Sequence, residues 1–347
     1  MAIARKGTET GLQVHVCQFQ KMIIVGAGII GLSCAWALAR AGRRVTVFDK
    51  GAAAREASWA GAGMLAPGGE FEADSEAARM AVRSLKMYPG FVEELAEETG
   101  IEIDFRRCGA IELGSEEELS RVAALRAALG IQSRPCPHRG QPARFYPGDA
   151  LVDPRQLTEA LILACKPRGV SVREHEAVVR IAENGLFVET AQARYEDDEG
   201  VVIAAGAWSS GLYKGLPETR PVRGHLVSWR MAPGFLPSIL RGGGTYAMQR
   251  SSGVVIAGSS TEEVGFQRAI DEGVVGDIVR RAEALVPELR GVPVFERWNG
   301  FRPGVAGEGP VIGRVPGTAV FLAFGHYRNG ILLAPETGRI LAELLAA

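Results

Sequence analysis

The sequence is short of the residues that build metal centres and nucleophilic triads. It has five histidines in 347 residues and no His/Cys cluster at ligand spacing, so no metal site and no histidine-based triad is expected. Five cysteines (Cys17, Cys34, Cys108, Cys136, Cys165) include no CxxC pair and leave an odd count. That excludes a disulfide framework and points to a reducing compartment, the cytoplasm. An excess charge of either sign is also lacking. With 39 basic against 40 acidic residues the net charge is -1, which gives no electrostatic basis for binding nucleic acid or an anionic membrane. Residues 1–21 have no long apolar core and no small-residue cleavage site. They are read as a disordered extension before Met22, or as a start set too far upstream, not as a secretory leader.

One long apolar run is present, "MIIVGAGIIGLSCAWALA" at 22–39, just long enough to span a bilayer. Three glycines interrupt it, two and three residues apart, and a β-branched run follows, so no membrane span is expected. Glycine itself is abundant, with 44 residues, which means many tight turns or close backbone approaches. The length suits one large or two interlocked domains.

"KMIIVGAG" reads as a buried strand and "IIGLSCAWALARAG" as the helix after it, ended by Gly42. Gly26, Gly28 and Gly31 give G-x-G-x-x-G at the turn between them. The first allows the tight turn, the second lets backbone approach a pyrophosphate, and the third lets helix and strand pack closely. "RRVTVFD" is the next strand and ends at Asp49, whose carboxylate can accept both hydroxyls of an adenosine ribose. The chain therefore reads as an adenine-dinucleotide binder. After Asp49 the regular strand–helix alternation of a nicotinamide enzyme is missing. Instead the small residues Ala57, Ser58, Ala60, Gly61, Ala62 and Gly63 lead to Met64, a segment able to lie along an extended cofactor or to form a surface loop.

Farther on, residues 73–99 read as a helix broken near Pro89, "IDFRRCGAIELG" as a strand pair, and 115–129 as a helix. Asp153 and Pro154 mark a helix start, and Asn184-Gly185 a hairpin turn. From 221 the pattern alternates as antiparallel strands, with a helix near 271–286 and another strand in "VPVFERWNGFRPG". In that strand Pro303-Gly304 is read as a turn that leaves Arg302 facing a cleft. The expected fold is α/β. A discontinuous Rossmann-like FAD-binding domain (22–82, 146–219, 300–347) carries an inserted α+β substrate domain (83–145, 220–299) with a mixed, largely antiparallel sheet.

In order along the chain, "IIVGAGIIGLS", "EASWAGAGMLAP", "VDPRQL", "VVIAAGAWS", "PVRG", "GFRPG" and "GHYRNGILLAP" resemble the D-amino-acid oxidase superfamily, and within it the glycine oxidases of the thiamine pathway. The resemblance implies FAD contacts at Gly26, Gly28, Ile29, Ile30, Gly31, Asp49, Lys50, Ala57, Ser58, Ala62, Gly63, Met64 and the Val178 backbone. His326, Tyr327, Arg328, Asn329, Gly330, Ile331 and Leu332 would complete the flavin site. Arg302 and Tyr246 would hold a substrate carboxylate, with Arg328 beside the pocket. The implied reaction is hydride transfer from glycine, sarcosine or D-alanine to flavin, giving an imine, then glyoxylate or a 2-oxo acid, with oxygen reduced to hydrogen peroxide. FAD would be non-covalent, since no cysteine follows "FRPG" where sarcosine oxidases of this superfamily attach flavin. Gly244, Thr261 and His225 depart from the family pattern and imply a roomier or more polar pocket. Two rival readings stay open: a D-amino-acid dehydrogenase that uses another electron acceptor, and a non-catalytic dinucleotide-binding module. A homo-oligomer is also open.

Overall fold

Short, largely apolar triplets form the first layer, as strands buried on both faces require. Ile23–Val25, Thr46–Phe48 and Val201–Ile203 are buried throughout. The computed structural model describes residues 22–346 except Glu72, Asp198 and Glu308, so the expectation for residues 1–21 lies outside the described residues. Six strands form the sheet in the order Val311–Arg314, Val320–Phe324, Val201–Ile203, Ile23–Val25, Thr46–Phe48, Ser171–Arg173. All pair in parallel except the first, an antiparallel edge. Helices Ile29–Arg40, Glu76–Thr99, Pro154–Cys165 and Gly330–Ala346 cover one face with a continuous apolar core. The antiparallel meander Val178–Ile181, Phe187–Thr190, Arg194–Glu196 covers the other through Val178, Ile181, Val188 and Tyr195.

The second layer is an eight-stranded sheet. Its order is Glu296–Val305, Thr219–Arg230, Val254–Gly258, Thr245–Gln249, Ile239–Gly242, Ala110–Leu113, Ala143–Tyr146, Arg134–Pro135. Every neighbouring pair is antiparallel except Ile239–Gly242 with Ala110–Leu113. Period-2 alternation divides its side chains. Val227, Trp229, Ala247, Val255 and Ala257 pack under helix Glu272–Leu285, while Leu226, Met248, Ile256 and Trp298 turn toward Ala60 and Leu151 in the first half.

Three expectations change. Helix Glu76–Thr99 runs unbroken through Pro89. Its apolar stripe of Met80, Ala81, Tyr88, Phe91, Val92 and Leu95 is buried whole, and burying six such side chains outweighs the roughly 3 kcal/mol cost of an interior proline. The strands Phe105–Arg106 and Ala110–Leu113 do not pair with each other. The first joins Ala150–Val152 and the second the large sheet. Strand Glu296–Val305 does not end at Pro303. It continues to Val305, with Pro303 opposite Pro221, because this is a sheet edge where a proline loses no ladder bond. We propose different domain limits. Residue 82 falls inside a helix of the nucleotide-side core, and 300–305 remain in the large sheet, so we place the whole of Glu76–Thr99 with the nucleotide half and the whole of Glu296–Val305 with the other.

Candidate active site and cofactor cleft

Between the two halves lies a cavity of about 1780 Å³, well above the roughly 300–1,000 Å³ of a drug-sized ligand site. One end is the glycine turn. Gly26 adopts φ +111°, and a Cβ there would lie 2.4 Å from the Ala204 carbonyl oxygen. A Cβ on Gly31 would lie 1.9 Å from the Gly26 oxygen, so this glycine locks the helix onto the turn from behind and does not line the cavity. The N-cap residue of helix Ile29–Arg40, Gly28, brings no side chain, and the first turn holds no acidic residue. The helix's positive end opens on the cavity with no acid of its own. Ser58 Oγ accepts from the Ile29 N–H at 2.9 Å. Asp49 accepts from the Ala27 and Gly51 N–H groups at 2.8 and 2.9 Å. Burial pushes its carboxyl up against those bonds. Lys50 Nζ sits 3.2 Å from the Trp208 ring centroid, and Val178 lines the same wall.

The small-residue segment forms the middle wall, and its composition follows from crowding. A Cβ on Gly63, at φ +86°, would lie 2.0 Å from the Val152 oxygen, and one on Gly300 would lie 2.5 Å from Ala60 Cβ. Trp298 Nε1 donates to the Ala60 oxygen at 3.0 Å, and Arg250 donates to the Ala62 and Val152 carbonyls. Residues 57–64 are thus a fixed partition and not a surface loop. Opposite it, Gly325–Ile331 contributes the start of helix Gly330–Ala346. His326 is buried and pairs through Nε2 with Thr337 Oγ1 at 3.0 Å. Burial holds it neutral, at about 3. Tyr327, Arg328, Asn329, Gly330 and Ile331 line the cavity, whereas Leu332 points into the core behind it.

At the far end Arg302 lies flat against Gly224, where a Cβ would come within 2.3 Å of the guanidinium nitrogens. Nη1 donates to the Ser260 oxygen at 3.0 Å and Nη2 to Ser259 Oγ at 2.8 Å. Among the described residues no carboxylate pairs with it, and burial draws its pKa down. Tyr246 is pushed up to about 12 by burial and so remains a phenol able to donate. Arg328 Nη2 donates to Thr261 Oγ1 at 2.9 Å. Gly244 and Thr261 line the cavity, and Arg281 Nη1 donates to the Gly244 oxygen at 2.6 Å.

His225 corrects an expectation. It is fully buried in the wall and does not line the cavity. Its Nε2 accepts from the Asp271 N–H at 3.2 Å, which leaves Nδ1 to donate to Glu262 Oε1 at 2.8 Å. Ser260 Oγ donates to the same oxygen at 2.6 Å, and Arg223 pairs with the other at 2.5 Å. Burial opposes ionisation of Glu262, but the bonds from Arg223, Ser260 and His225 outweigh it and bring the carboxyl down to about 2. The segment that holds Arg302 is thus itself held. Sequence reasoning missed this network, and also Glu70 in the cavity wall. Neither belongs to a motif, and only the folded sheet brings them to the site.

The cavity fits FAD on three observations: its size, a helix N-terminus with no acid in its first turn beside a glycine turn with no room for side chains, and the small-residue partition along its length. A family model described as FAD dependent oxidoreductase (DAO) matches residues 21–344. A glycine oxidase of Pseudomonas aeruginosa is 32% identical over 347 residues, covering 94% of this chain and 95% of that one. The crystal structure of glycine oxidase from Geobacillus kaustophilus is similar with a TM-score of 0.89 at 31% identity over 94% of each chain. A bifunctional protein ThiO/ThiG of Synechocystis is 34% identical over 339 residues, covering 93% of this chain and 51% of that one. The chain belongs to the DAO family of FAD-dependent oxidoreductases.

Proposed function

We propose that the chain oxidises glycine or a close relative, sarcosine or D-alanine, with oxygen and water, to give glyoxylate or a 2-oxo acid, ammonia or an amine, and hydrogen peroxide. The observation that carries this reading is Arg302: a half-buried guanidinium at the end of the cavity with no carboxylate partner among the described residues. Two of its five N–H donors are bound to Ser259 and Ser260, which leaves an edge of the fork for a ligand carboxylate. FAD, when bound between the Gly26–Ile30 turn and the Gly325–Ile331 turn, supplies the acceptor for the α-hydride. The protein's own residues bind and orient. Tyr246 donates a second bond to the carboxylate, the 57–64 partition excludes water, and the two helix ends stabilise negative charge on the cofactor. The glycine oxidase and ThiO/ThiG relatives support placing the reaction in thiamine thiazole synthesis, and the odd count of unpaired cysteines supports a cytoplasmic location.

Gly244 and Thr261 carry little bulk in the cavity wall, so sarcosine and D-alanine should rival glycine. One methyl is worth about 1–3 kcal/mol in an apolar site. Peroxide release in air and kcat/KM for the three substrates test both points. A preference for glycine above roughly a hundredfold over both would contradict the roomy pocket. Bleaching of the flavin by amino acid without peroxide in air would favour a dehydrogenase.

A further inference from the structure

Glu70 ends the short turn Pro67–Glu70 and lines the cavity, half-buried, with no hydrogen-bond or ion-pair partner among the described residues. The turn is not free to swing. Arg241 Nη2 donates to the Gly68 oxygen at 3.0 Å, and a Cβ on Gly69 would lie 2.9 Å from Arg241 Nη1. Arg241 is fixed in turn by Asp149 at 2.6 Å and Glu112 at 3.0 Å. A carboxylate so held in a cavity wall, with no donor of its own, can take one from a ligand, since the guanidiniums around it act on it by charge and none donates to it. Arg126 and Arg241 are paired with Glu112 and Asp149, Arg328 is tied to Thr261, and Arg302 is fixed on Ser259 and Ser260.

We propose that Glu70 is the amine-end residue of the substrate site: it accepts the ammonium group of the amino acid whose carboxylate Arg302 holds, and takes the proton that must leave before the amine can be oxidised. In that step an ammonium N–H bond breaks and a carboxyl O–H bond forms. The lone pair stays on nitrogen, so charge and atoms balance without another reactant. The cavity thus has one positive and one negative anchor, the pattern that a zwitterion fits and a plain acid does not. The charged and titratable groups around Glu70 are Arg328, Arg302, Arg241, Arg126 and the Tyr246 phenol. Burial raises the Glu70 carboxyl and those guanidiniums pull it back, with a net upward direction. This suits a group that must gain and lose a proton. The inference rests on the functional reading above.

The test compares Glu70→Gln holoenzyme with wild type, using glycine turnover and the binding of acetate, followed as a perturbation of the flavin spectrum. Acetate has the carboxylate and lacks the ammonium. The expected result is a loss of tenfold or more in kcat/KM for glycine, with acetate binding unchanged or tighter. The acid limb of the kcat/KM profile should also disappear, and Glu70→Asp should recover part of the loss. Equal weakening of glycine and acetate, or glycine kinetics within twofold of wild type, would overturn the proposal. Wild-type enzyme that oxidises no amino acid would overturn the functional reading and this inference together.

Discussion

Arg302 shows how much one side chain depends on its bed. Gly224 leaves room for the guanidinium to lie on the strand, and Ser259 and Ser260 hold two of its nitrogens from one side. Lysine carries the charge but not the fork, so Arg302→Lys is not a conservative change here. Arg302→Ala should raise KM for glycine by about 30- to 1000-fold, equivalent to about 2–4 kcal/mol, while flavin stays bound. A simple amine without a carboxylate should be affected far less. Steady-state kinetics on both substrate types decide the matter, and equal losses would make Arg302 a structural residue. The motif around it was legible in the sequence, but the reason for its direction was not. Arg302 faces the cavity because of the alternation of an unbroken edge strand, not because of a turn at Pro303.

At the level of elements, strand Glu296–Val305 joins the two halves. It pairs with Thr219–Arg230 over ten positions and meets the 57–60 turn through Gly300 and Trp298. Gly300→Val would drive a side chain into Ala60. We expect a loss of about 1–3 kcal/mol in stability, typical of overpacking, together with faster flavin release. Thermal unfolding and flavin fluorescence would measure the two, and no change in either would show that the contact is soft. Elements with a strong local signature were readable: the apolar triplets, the Asp153 cap, whose carboxylate accepts the Arg155 N–H at 2.9 Å, and the hairpin at Gly185 with φ +78°. Elements decided by tertiary burial were not. The continuity of Glu76–Thr99 through Pro89 and the separate sheets joined by Phe105–Arg106 and Ala110–Leu113 depend on partners far along the chain.

For the molecule as a whole, His326 couples the fold to pH. Its imidazole is held at about 3 against an ordinary value of 6.5. Below 6.5 the unfolded chain takes up a proton that the folded chain refuses, so stability is full above that pH and falls as pH drops toward 3. The slope from this one group approaches about 1.4 kcal/mol per pH unit. Glu262, held at about 2 against 4.5, loses its contribution only below about pH 4.5, so the two windows can be separated. Unfolding midpoints measured from pH 7 to 5 should fall for wild type and stay flatter for His326→Gln. Parallel curves would assign the acid sensitivity to other groups.

The cleft between the two halves also bears on how long the protein lasts in a cell. A ligand bound only by the folded chain adds RT ln(1 + [L]/Kd) to its stability, and this one would fill a cavity of about 1780 Å³ that is part of the interior. Chains made without it lack that contribution, unfold more often, and are exposed to proteases for longer. Starving the host of riboflavin should therefore lower the amount of this protein more than its messenger, and restoring the vitamin should slow its turnover. Abundance of the enzyme would then follow vitamin supply with no dedicated regulator.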